Sequence, residues 1–424
     1  MTVIPQGKMS IAPSTERSFS LFEAAQLAEK ALQKLGLRPE LRDAGNGADP
    51  TAWLCILRDS EGRCPPRGGG LGKGSREESR VGAIFEAIEH VLTGPLQFPF
   101  QHAEMKSAID VAEQIRDEAS SQILADAGRE PIACLPYSSI SGNRTLWAPA
   151  YLSCPWYVDP SEDRYRNYLG DSTDYRQLMR YTSNSGHAIG ATKIEAIVHA
   201  LNEAIERDAL SLLIIRAFMT KTSRLRVVDP DTLPADLRNI LTKVQNHTSR
   251  PIHLIEMTTD IGVPSFCAYL KPSNAKPAEW GAGTSLSPHY AIRRALTELL
   301  QCLLFEGQME PVDRVDRVAR MRIWPILHTC AAMDLTRNLQ EALARDYEDR
   351  EAPNTPEEHL RELIRLLERK NLTPYWRDIR TLENGISAGH ILVPGLERFM
   401  LITSGGVILP GPRGKNARLN MMDQ

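Results

Sequence analysis

What this chain of 424 residues lacks narrows its class before any motif is read. Its net charge is only −3, from 53 acidic and 50 basic residues. No overall field therefore draws in nucleic acid or an anionic membrane, and partners must be recognised locally. No run of about 18 apolar residues suggests a membrane span, and the opening MTVIPQGKMSIAPSTERSFS has no uninterrupted apolar stretch of a secretory signal, which points to a cytoplasmic protein. The seven cysteines (55, 64, 134, 154, 267, 302 and 330) show no CxxC and no metal-ligand spacing. They read as reduced thiols, with Cys302 in ELLQCLLF as a small buried hydrophobe. There is also no GxxxxGK[ST], and no GxGxxG opens a helix after a clear strand, so the familiar nucleotide folds are disfavoured.

What is present reads as an ordinary globular chain, 42% apolar and 24% charged. SFSLFEAAQLAEKALQKLG is an amphipathic helix stopped at Gly36. CPPRGGGLGKGSREES should hold no regular structure, only permit close backbone approach to a ligand, before the helix VGAIFEAIEHVLTG. Residues 130–180 read as short strands and turns, with the aromatic LWAPAYLSCPWYV and the polar SEDRYRNYLGDSTDYRQ after it as a loop near a binding site. A long helix begins near Thr192, and IHLIEMTTDIGVPSFCAYLK reads as two strands flanking a turn. GAGTSLSPHYAIRRALTELLQCLLFEG is again a glycine turn and a helix. Residues 333–372 read as two charged helices split at Pro353 and Pro356, followed by strands in YWRDIR, HILVPGLERFML and GGVILPGPR. Strands alternating with helices make the class α/β. The expected division is an accessory segment over 1–60, a catalytic domain over 61–410 and a tail over 411–424.

Three helices present acidic or amide side chains three residues apart: Glu86 with Glu89, Glu203 with Glu206, and Glu298 with Gln301. Each pair shares a helix face, where like charges repel by a few tenths of a kcal/mol unless a cation separates them. Mg²⁺ takes hard oxygen ligands and couples a few carboxylates to phosphates, which suits glutamates converging from separate helices. Each pair follows a glycine-rich stretch whose N–H groups could face phosphate, and Lys73 and Arg294 could add positive charge. A solvated helix face would show the same spacing, because Ala196, Ile197, Ala200, Leu201 and Ala204 form an apolar stripe from which Glu203 and Glu206 fall away. Read from the residues alone, a metal and nucleotide site and a solvated surface both stay open.

GLGKGSREESRVGAIFEAIEH, SNSGHAIGATKIEAIVHALNEAIERDA, GAGTSLSPHYAIRRALTELLQ and HILVPGLERF, in that order and spacing over roughly residues 65–410, resemble the YcaO family. The resemblance implies a YcaO-type α/β fold of mixed sheets and packed helices around an acidic cavity for ATP and Mg²⁺. By motif it makes Glu86, Glu89, Glu203, Glu206 and Glu298 the metal- and phosphate-organising set. Glu195, Arg294 and Gln301 would line the nucleotide site, with Lys73 and Arg207 as phosphate neighbours. Gly82 and Ala191 depart from the serine and asparagine frequent in the family at those places.

The implied activity is ATP-dependent phosphorylation of a peptide backbone amide. Azoline rings form if the nucleophile is a Cys, Ser or Thr side chain of a ribosomally made precursor peptide, such as a bacteriocin. A thioamide forms if it is external sulfide. A support role in methylthiolation of a ribosomal protein and a non-catalytic scaffold are the other readings. Azoline-forming members often end in PxPxP, whereas here Pro410 and Pro412 precede a basic stretch. The expected partners are the precursor peptide, a separate leader-peptide-binding or E1-like protein and a flavin dehydrogenase of the same pathway. Neither nucleic acid nor a membrane is expected, and homodimerisation is left open.

Overall fold

The architecture follows from three strands that run directly into capped helices. A computed structural model describes residues 14–142, 144–220, 224–273, 276–305 and 312–419. Helix α1 (Leu21–Leu35) starts at a capping box between Ser20 and Glu23, which satisfies otherwise orphaned N–H groups, and stops where Gly36 turns left-handed at φ 67°. Strands β1 (Arg38–Asp43), β2 (Thr51–Arg58) and β3 (Gly69–Gly74) form an antiparallel sheet that joins residues on both sides of position 60. Ser75 then caps α2 (Arg76–Leu92) with Glu78 at its third position.

GGGLGKG is thus a strand and not the irregular ligand-facing stretch expected of it. Glycine normally weakens a strand, but here it removes bulk: a Cβ on Gly72 would lie 1.7 Å from the Ser79 carbonyl oxygen in α2. The helix therefore lies directly on the strand.

The second sheet has six strands. β4 (Glu104–Ser107), β5 (Pro131–Ser139), β13 (Tyr375–Thr381), β14 (Ser387–Leu392) and β7 (His187–Gly190) follow one another, and β6 (Thr145–Pro149) pairs with β5. From β7, Thr192 caps the 22-residue helix α3 (Lys193–Ile214) by accepting from the Glu195 N–H. The third sheet has the order β11 (Glu279–Thr284), β10 (Ser265–Leu270), β9 (Ile252–Glu256), β8 (Arg226–Val228), β12 (Leu343–Arg345). Helix α4 (Ala235–Thr248) and, after the Ser287 cap, α5 (Pro288–Leu304) bury Leu237, Leu241, Leu296 and Leu299 against it. Each such side chain contributes about 1.5–3 kcal/mol on burial. On β11, Gly283 repeats the role of Gly72, a Cβ there lying 2.0 Å from the Ala291 carbonyl oxygen of α5.

The mixed α/β class holds, with local differences. LWAPAYLSCPWYV is core and not a site loop: Tyr151 and Tyr157 are fully buried in the largest apolar cluster. Residues 333–372 hold a short helix at Thr336–Gln340, then edge strand β12, and only then α6 (Pro356–Glu368). GGVILPGPR is not a strand but leads into α7 (Pro412–Leu419), and Cys302 is exposed. Arg413 of α7 ties the tail down through Asp208 at 2.7 Å and Asp260 at 2.5 Å. Among the described residues no helix is long and apolar enough to cross a membrane.

Candidate active site

The three strand-to-helix units bring five of their six paired side chains, all glutamates, within one another's electrostatic reach. Helix α2 packs between the small sheet and β7, with Ile88 and Ile189 in one apolar cluster. Glu86 consequently accepts from the Leu71 N–H of β3, and Glu89 from the Ile189 N–H of β7. Glu203 of α3 accepts from the Gly186 N–H at 3.4 Å. From the third unit, Glu298 of α5 is ion-paired with Lys73 of β3.

Glu86 feels the charges of both Glu203 and Glu298, Glu89 those of Glu86 and Glu203, and Glu206 that of Glu298. The five glutamates therefore form one cluster. Arg207 lies 3.8 Å from Glu203 and 3.6 Å from Glu206. Arg294 lies close enough to Glu206 and Glu298 to act on both. Gln301 stands one turn beyond Glu298 and makes no hydrogen bond to the cluster among the described residues.

Crowding sets the protonation. Burial, helped by the Glu203 and Glu298 charges, pushes Glu86 up to about 7 although 41% of its side chain stays accessible. Burial and the Glu86 charge raise Glu89 well above the usual carboxylate range. Burial also raises Glu206, and the charge of Glu298 adds to it. Glu298 goes the other way: burial would raise it, but Lys73 and Arg207 hold it low. Glu298 held low while Glu86, Glu89 and Glu206 are all pushed toward the protonated form marks a site short of positive charge.

The donor set fits a hard cation shared with phosphate. Glu206 Oε2, Arg207 Nε and Arg294 Nε are buried and have no hydrogen-bond partner. Among the described residues no three acidic, histidine or cysteine side chains come together closely enough to hold an ion by themselves. A bound Mg²⁺ would take one or two of these carboxylates and fill the rest of its shell with phosphate oxygens and water.

Glu195 is buried, accepting from the Ala191 N–H at 3.1 Å and from the Ser18 N–H, with Arg17 3.8 Å away. The chain before α1 thus reaches the site, which sequence reasoning missed. Glu16 is buried there, hydrogen-bonded to Asn202 and Ser285, and acts on Arg17 and Arg294. His199 on α3 is kept neutral by burial and by Arg294, Arg17 and Lys73. No motif marks residues 14–18; the only signal was Glu195 and Asn202, polar residues on the most patterned helix.

A family model described as YcaO cyclodehydratase, ATP- and Mg²⁺-binding, matches residues 71–397. The chain belongs to the YcaO family, a family of ATP- and Mg²⁺-binding cyclodehydratases. An uncharacterised protein from the tfuA 3′ region of Rhizobium leguminosarum bv. trifolii is 33% identical over 156 residues, 33% of this chain and 36% of that protein. The chain thus spans about a third of the length of the curated relatives it matches. The solved YcaO protein of Methanopyrus kandleri, bound with AMPPCP and Mg²⁺, superposes with a TM-score of 0.63 at 18% identity, over 94% of this chain and 97% of that one. A heterocyclase in complex with substrate and cofactor gives 0.64 at 17% identity, over 91% of this chain and 54% of that one. At such identities the likeness is one of fold.

Proposed function

We propose that this chain uses ATP to phosphorylate a backbone amide oxygen of a ribosomally made precursor peptide, closing azoline rings from Cys, Ser or Thr. The observation that carries this reading is the meeting of Glu86, Glu89, Glu203, Glu206 and Glu298 beside Lys73, Arg207 and Arg294 in a YcaO-family chain. The glutamates would hold Mg²⁺, which when bound screens the phosphate charge and aligns the transferred group. Lys73, Arg207 and Arg294 would receive phosphate oxygens, and Glu195 and Gln301 would line the nucleotide.

The balance is simple. A peptide hydroxyl or thiol adds to the amide carbon and gives up its proton. The amide oxygen takes the γ-phosphoryl group from ATP, which leaves as ADP, and then departs as phosphate while the nitrogen gives up its proton and forms a double bond to the carbon. The net change is loss of one water from the peptide.

Residues 61–410 are proposed as the catalytic unit, with the preceding segment supplying Arg17 and Ser18 and 411–424 as tail. Leader recognition falls to a separate partner protein, in the cytoplasm, with a flavin dehydrogenase acting on the product.

The test is to incubate the chain with ATP, Mg²⁺, the short peptide encoded beside its gene and the leader-binding protein encoded there, and to weigh the product. Loss of water, and phosphate release only with peptide and partner both present, is expected; Glu203→Ala abolishes both and leaves the fold intact. Exchange of oxygen for sulfur would replace the azoline reading with thioamide formation, and an unchanged peptide would refute both.

A further inference from the structure

We propose that Glu16, on the segment before α1, is a positioning residue that holds the Asn202 carboxamide with its oxygen toward the nucleotide. Asn202 then selects nucleotides that offer a hydrogen-bond donor there, a ribose hydroxyl or the adenine amino group. The inference rests on the nucleotide site of the ATP reading and adds a specificity device to it.

Helical spacing supplies the place. Glu195, His199, Asn202 and Glu206 recur along one face of α3. Glu206 belongs to the charged cluster with Arg207 and Arg294, and Glu195 to the end that Ser18 reaches. Asn202 lies between the two and is only 3% exposed. With phosphates proposed at Arg207 and Arg294, and Glu195 lining the nucleotide, Asn202 falls along the length of the ligand.

Chemistry sets the orientation. Asn202 Nδ2 donates to Glu16 Oε1 at 3.2 Å, and Ser285 Oγ donates to the same oxygen. A carboxylate only accepts, so the amide turns its nitrogen to Glu16 and its oxygen away. Among the described residues that oxygen, buried, has no hydrogen-bond partner. Ser285 cannot serve it, because its proton goes to Glu16 and its oxygen accepts from the Ser287 N–H at 3.1 Å. A buried acceptor left unpaired is costly, and a donor on the ligand relieves it.

Glu16 also acts by its charge on Arg17 and Arg294. Charge balance alone would move the affinity of every nucleotide alike, whereas holding the amide moves only the selectivity. The experiment is calorimetric titration of the full chain with Mg²⁺ and ATP, 2′-deoxyATP, 3′-deoxyATP or ITP, without peptide. One of the three analogues should bind about tenfold more weakly than ATP, the loss expected when a buried acceptor keeps no donor. Which one it is tells a ribose hydroxyl from the amino group.

Asn202→Leu, which has no acceptor, should erase that preference. Glu16→Met should shrink it, because nothing then holds the amide, while Glu16→Gln keeps an acceptor without the charge and should retain it. Equal affinity of the unaltered chain for all four nucleotides, or no binding by any, overturns the proposal. So does a preference that survives Asn202→Leu or Glu16→Met, or one that falls as far in Glu16→Gln as in Glu16→Met. Selective binding with the peptide left unmodified sinks the azoline reading alone, and a modified peptide without selectivity sinks this inference alone.

Discussion

Lys73 on β3 is ion-paired with Glu298 on α5, 225 residues further along the chain. The bond joins the first strand-to-helix unit to the third, and it is one of the reasons Glu298 stays ionised while Glu206 beside it is pushed toward the protonated form.

Lys73→Met removes the cation from both Glu298 and the proposed phosphate site. Both side chains are about one-fifth exposed, so the contact is partly desolvated. Loss of such a charge-assisted contact costs roughly 1.5–3 kcal/mol. Calorimetric titration with a non-hydrolysable ATP analogue and Mg²⁺ should show binding weakened about tenfold to a hundredfold. Unchanged affinity would remove Lys73 from the phosphate site.

Glu86 provides the pH dependence. Its value is raised from 4.5 to about 7, so the fold favours its protonated form. The stability this gives is complete below 4.5 and is lost as pH rises through about 7. A bound cation needs the ionised form, so cation affinity climbs over the same window. The thermal midpoint without ligand should fall across it while the added stabilisation by Mg²⁺ and nucleotide grows. Glu86→Gln should flatten both trends; a wild-type gap that does not change with pH refutes the assignment.

Two neighbouring glycines should respond oppositely to the same substitution. In Gly72→Ala the new Cβ would lie 1.7 Å from the Ser79 carbonyl oxygen, so β3 and α2 must separate. Overpacking of this kind costs about 1–3 kcal/mol or more. In Gly82→Ala the nearest atom is 3.7 Å away, an ordinary contact. A glycine inside a helix is worth about 0.5–1 kcal/mol less than alanine, so this variant gains stability. Urea denaturation of both variants checks the sign.

Much of the site was legible because helices repeat every 3.6 residues. Glu86 with Glu89 and Glu203 with Glu206 were placed on shared faces by spacing, and the long helix does start at its Thr192 cap. What spacing could not supply was which faces meet. The rule that glycine breaks regular structure failed at β3, where closeness to α2 outweighs strand propensity. GGVILPGPR looked like a strand by its apolar run, but Arg413 and the glycine N–H groups at 411 and 414 find Asp208 and Glu397 instead. Glu16 and Arg17 were invisible because their partners lie about 180 residues or more away, beyond any local signal.

Bare strands pressed under their helices leave no slack at the three junctions. An α-helix turns by about 100° per residue, so one amino acid inserted between Gly74 and Arg76 would swing Glu86 and Glu89 around the axis and out of reach of their partners. Loops elsewhere can lengthen over evolutionary time; these three short hinges must keep their count.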